Sequence, residues 1–82
     1  MYTVRWKRSA VDRLTDLWIE ASDRPAVTSA VDEIDRILAA DPLTAGESRS
    51  EQTRVVFISP IGVFVDIDES AQIVNVLKVW TF

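Results

Sequence analysis

An 82-residue chain gives one small domain and no more, so residues 1–82 are read as a single unit. It contains neither cysteine nor histidine, which excludes a disulfide framework, a thiolate or imidazole metal site and the commonest general acid/base; no metal and no cofactor is expected. Nine Lys and Arg against 13 Asp and Glu give a net charge of −4, a poor balance for non-specific nucleic-acid binding, and with no membrane-length apolar run and no signal-peptide pattern a cytoplasmic, membrane-free location is expected.

Tyr2–Trp6 alternates, with Tyr2, Val4 and Trp6 on one side and Thr3, Arg5 and Lys7 on the other, which predicts a strand with one buried face. Ser9, three residues ahead of Asp12, reads as a capping-box-like helix start. Ala10, Val11, Leu14, Leu17, Trp18 and Ala21 then recur on one helical face. Ser22-Asp23-Arg24-Pro25 breaks the chain, and Pro25 suits the first turn of a second helix. Val27, Ala30, Val31, Ile34, Ile37 and Leu38 form its apolar stripe, and the helix should stop before Pro42. Two amphipathic helices joined by so short a break form an antiparallel hairpin.

Leu43–Gln52 is polar and reads as a loop. Thr53–Ile58 is a strand, Ser59-Pro60-Ile61-Gly62 a turn with Pro60 in its second position, and Val63–Asp68 a strand with Val63, Val65 and Ile67 inward. Glu69-Ser70-Ala71 turns the chain into Gln72–Phe82, whose two faces are both largely apolar. That places this last strand inside the sheet, not at its edge. The resulting fold class is α+β, ordered β-α-α-β-β-β: a mainly antiparallel four-stranded sheet with a two-helix hairpin on one face. The partner of the first strand is left open. Tyr2, Val4, Leu14, Trp18, Val31, Ile34, Leu38, Val65 and Leu77 are expected in the core.

The stretches YTVRWKRSAVDRL, ILAADPLTAG, TRVVFISPIGVFVDID and IVNVLKVW, in this order, resemble the RelE/ParE toxin family of bacterial type II toxin–antitoxin systems, also known as plasmid stabilisation proteins. The resemblance covers essentially the whole chain. It implies a toxin held by a cognate antitoxin that lays helices and a strand over its grooves and sheet edge. One branch of the family cuts mRNA on the ribosome and another poisons DNA gyrase. The cutting branch uses Arg and Lys on the middle strands and an Arg, His or Tyr near the C-terminus. Arg54 matches the basic residue that opens the second of the family's strands. Val56 and Gly62 or Val63 stand where further basic residues are common, and the chain ends Trp80-Thr81-Phe82 without a basic tail. No catalytic residue is assigned on this basis.

Arg49, Arg54 and Lys78 are the candidates for contact with a target or partner, each with the plainer alternative of a solvated charge or a snorkelling stem. Val56, Ile58, Phe64, Val76 and Trp80 are the candidate interface, read as lying on the uncovered face of the sheet. Asp66 and Asp68 lack the third ligand that a metal site would need. Arg5, Lys7, Arg8 and Arg13 crowd the start of the chain against only Asp12, a patch able to steer an acidic partner or simply a solvated corner. The functional reading is a weak or degenerate toxin. A non-toxic binding module or homodimer on the same scaffold is one alternative, and a ribosome-dependent mRNA endonuclease is another.

Overall fold

The computed structural model describes all 82 residues. Strand β1 (Thr3–Trp6) leads into helices α1 (Arg8–Glu20) and α2 (Arg24–Ala40). A 3₁₀ turn at Pro42–Thr44 follows, then strands β2 (Glu47–Ser48), β3 (Thr53–Ile58), β4 (Ile61–Asp68) and β5 (Ile73–Thr81). The five strands form one sheet in the order β1-β5-β4-β3-β2. β1 lies parallel to β5, with Val4 opposite Val74, and the other pairs are antiparallel. The fifth strand is β2, a two-residue edge inside the segment expected to be loop; its register rests on Gly46, whose φ of +56° suits glycine. A side chain there would meet the Val55 carbonyl oxygen, 2.0 Å from its Cβ.

Both helices cover one face. Ile34 and Leu38 of α2 are fully buried against Val63, Val65, Val74 and Val76, and Ala10 and Leu17 of α1 join the same core. β1 is tied to α2 by the Tyr2 amide, which donates to the Ala39 carbonyl at 2.9 Å, and by the Trp6 indole N–H, which donates to Asp35 at 2.8 Å. The helical hairpin is closed by side chains. Asp23 caps α2 by accepting from the Ala26 amide, and Arg24 donates to the Trp18 and Ile19 carbonyls in the last turn of α1. The expected cap at Ser9 is absent: Lys7 is the N-cap and offers no side-chain bond, so Ser9 lies within the first turn. Likewise Gly62 belongs to β4, and the turn consists of Ser59 and Pro60 alone, joined by a cis peptide bond.

The facing of the last strand differs from the period-2 reading. Val65 pairs with Val76 but Phe64 pairs with Lys78, so Leu77 is an extra residue, a β-bulge. Alternation therefore slips by one in mid-strand. Val74 and Val76 point into the helix-side core before the bulge, and Val79 does so after it. Val56 lies on that side too. The expected outward placement of Val56 and Val76 is thus corrected: they are 3% and 0% exposed. Leu77, expected in the core, is only half-buried at the bulge. Trp18 is corrected in the other direction. With α1 packed chiefly through Ala10 and Leu17, Trp18 is 42% exposed.

Candidate functional site

The sheet face away from the helices is uncovered, and residues directly opposite one another across a ladder share it in rows. One row runs Arg5, Asn75, Asp66, Thr53; the next runs Lys78, Phe64, Val55, Glu47; the next runs Trp80, Gly62, Phe57. The face is therefore polar at one end and aromatic at the other. Gly62 makes the aromatic end possible, because the Trp80 indole occupies the space of its missing side chain: a Cβ would lie 2.6 Å from Trp80 Nε1. Phe57 packs edge-on against Trp80 with ring centroids 6.0 Å apart, and against Phe82 at 5.5 Å. Phe57 and Phe82 remain exposed, and Phe64 and Trp80 are half-buried.

The cations divide into two groups. Arg24 closes the helix hairpin, Arg36 is paired with Glu33, and Arg49 is paired with Glu47 at 3.1 Å. Arg54 opens β3 on the helix side, not the open face, and its guanidinium donates to the Ala45 and Gly46 carbonyls. These four hold the chain's own structure together. Arg8 reaches Asp12 at 3.6 Å across an exposed helix turn. Arg5, Lys7, Arg13 and Lys78 form no ion pair, and they belong to β1, its junction with α1, the first half of α1 and the distal half of β5. Arg13, Lys78, Trp80 and Ser9 line one depression of about 290 Å³, where β1 has ended and α1 runs beside β5. Of the three candidate contact residues, only Lys78 stands unpaired on the open face. Of the five interface candidates, Phe64 and Trp80 lie on that face, while Ile58 packs half-buried at the border of the helix-side core.

One acidic group near the polar end is engaged locally. The Asp68 carboxylate accepts from the Ala71 amide at 3.1 Å and from the Ser70 hydroxyl at 2.9 Å, bridging the β4–β5 turn. Those bonds, the amide's first, hold it below the ordinary aspartate range. No cluster of three or more carboxylates is placed to hold a metal ion. A second surface lies between the helices, where Val11, Leu14, Trp18, Val27 and Val31 line an open apolar groove. Arg24 stacks over Trp18 at 4.9 Å, and Thr28 accepts from its indole N–H at 3.2 Å, so the ring is held at the groove's wall.

The sequence does not single out Phe57 or Phe82 as contacts, and it marks Arg5 and Arg13 only as part of a patch able to steer an acidic partner. Phe57 sits in a strand where both faces are apolar, so period alone does not tell in from out. The sequence signal that bears on this is Gly62 in a β-rich run with an aromatic residue on the next strand, but its use requires the register.

No protein-family model and no curated protein matches the chain. Solved structures do. A chain of the Mycobacterium tuberculosis RelBE2 toxin–antitoxin complex superposes with a TM-score of 0.79 at 24% identity, covering 99% of this chain and 91% of that one. A chain of the chromosomal ParDE toxin–antitoxin system of P. aeruginosa gives 0.75 at 16% identity, over 99% and 96%. The isolated E. coli RelE toxin gives 0.72 at 12% identity, over 99% and 84%. The fold is therefore that of the RelE/ParE toxins, as the sequence resemblance implies.

Proposed function

We propose that this chain is the toxin component of a type II toxin–antitoxin pair, held in the cytoplasm by a cognate antitoxin, and that it acts by binding its target, without cutting RNA. The observation that carries the reading is the superposition on RelE and ParE toxin structures over 99% of this chain and 84–96% of theirs. Several of those structures come from toxin–antitoxin complexes. The argument against cutting is chemical. Cleavage by 2′-hydroxyl attack needs a group to take a proton, one to give it, and cations around the phosphate. General acid–base help is worth ~100- to 10,000-fold, and each oxyanion donor a further ~100- to 1,000-fold. The open face offers Lys78 and Arg5 as cations, its remaining charges are carboxylates, and the chain has no histidine. Arg54, which the resemblance would put among the phosphate contacts, holds the backbone of the loop ahead of β2.

The test is inducible expression in a bacterial host, alone and with the small open reading frame adjacent to this gene. Growth arrest that the neighbour relieves supports the reading. Normal growth at high expression favours the alternative, a non-toxic binding module on the same scaffold.

A further inference from the structure

We infer that the corner formed by Arg13, Lys78 and Trp80 is a docking site for an acidic, apolar-containing segment of a protein partner. The inference rests on reading the chain as a partner-bound protein, and adds which surface the partner reads and with what chemistry. Three observations converge there. The first is charge: in a chain of net charge −4, the four cations with neither an ion pair nor a side-chain hydrogen bond, Arg5, Lys7, Arg13 and Lys78, lie on β1, at its junction with α1, in the first half of α1 and on distal β5. Two of them, Arg13 and Lys78, line the same depression with Ser9. The second is the bulge at Leu77, which sets Lys78 and Trp80 on the open face while Val76 and Val79 stay in the core. The third is continuity: Trp80 is both a wall of the depression and the start of the exposed aromatic cluster with Phe57 and Phe82.

A carboxylate in the depression meets two cations, and a neighbouring apolar side chain then reaches the aromatic cluster. A nucleic-acid strand fits less well. Net negative charge weakens the phosphate attraction that dominates such binding. Asp66 lies farther along the same face. The rings meet at 74° and 86°, packed on one another instead of standing parallel as successive base-stacking platforms. Burying a charge-assisted carboxylate pair beside aromatic anchors is the usual composition of a protein-binding hot spot.

The test titrates the purified chain against a short fluorescent peptide alternating Glu with Leu, its Gln counterpart, and a single-stranded RNA of similar length, all by anisotropy. The Glu peptide should bind about tenfold more tightly than the Gln peptide, with the gap closing at high salt. Lys78→Gln and Arg13→Gln should each weaken the Glu peptide by about threefold or more and leave the Gln peptide unchanged. Arg36→Gln, which breaks a pair on the far side of α2, should change neither. These three substitutions are at exposed positions, so folding is checked by thermal melting and is expected to be retained. No saturation by the Glu peptide at millimolar concentration, equal binding of both peptides, tighter binding of the RNA, or equal damage from Arg36→Gln would each overturn the inference. Because no cognate antitoxin is used, binding here and absence of toxicity in cells are separate outcomes.

Discussion

Gly62 and Trp80 are the pair on which the aromatic end of the open face depends. A methyl group at position 62 would stand 2.6 Å from the indole, so the ring must move off the sheet. We expect Gly62→Ala to cost about 1–3 kcal/mol by overpacking, and to cost much less in a Trp80→Leu background. Chemical denaturation of the two single variants and the double variant measures that coupling, and additive losses would show that the ring does not occupy the glycine's space. Asp68 makes a separate prediction through pH. Its folded-state pKa is lowered, chiefly by the Ala71 amide, so it contributes stability above the ordinary aspartate value and loses it as pH falls through the lowered one. Melting temperature should therefore fall more steeply below about pH 4 in the parent than in Asp68→Asn, with the two curves converging in acid. Glu33, lowered by its bond to Arg36, shifts in the same direction and keeps some acid dependence in the variant.

The elements were legible in the sequence wherever one period governed them. The stripe Val27, Ala30, Ile34, Leu38 runs along α2 and is buried as read. Replacing Ile34 or Leu38, both 0% exposed, by Ala should cost about 2–5 kcal/mol in urea unfolding. The α1 stripe was legible as a helix but not as packing. The helix rests on the sheet through small Ala10 and Leu17, which leaves Val11 and Trp18 along the groove instead of in the core. β3 and β5 were legible as strands but not in their facing, for two physical reasons. In β3 both faces are apolar, so burial does not choose between Val55 with Phe57 and Val56 with Ile58. In β5 the bulge at Leu77 breaks the period that any strand reading assumes, and it is fixed by register with β4, a long-range property. β2 is two residues long and exists only through its pairing with β3, so no local pattern announces it. The candidate site followed the same division. Lys78, Phe64 and Trp80 were legible by type, and their company was not.

At the scale of the whole molecule, the sheet separates structure from surface. The helix side carries the core and Arg54, whose guanidinium holds neighbouring carbonyls, while the open side carries the unpaired cations Arg5 and Lys78 and the aromatic cluster. On the function proposed above, this face, with two cations and no histidine in the chain, holds a partner and does not move protons on RNA. The direct measurement adds the purified chain to a translating ribosome extract and locates mRNA ends by primer extension. The account predicts no codon-specific ends above background, with Lys78→Ala indistinguishable from the parent. Stoichiometric cleavage at defined codons within minutes, abolished by Lys78→Ala or Arg5→Ala, would contradict it and make the open face a nuclease site.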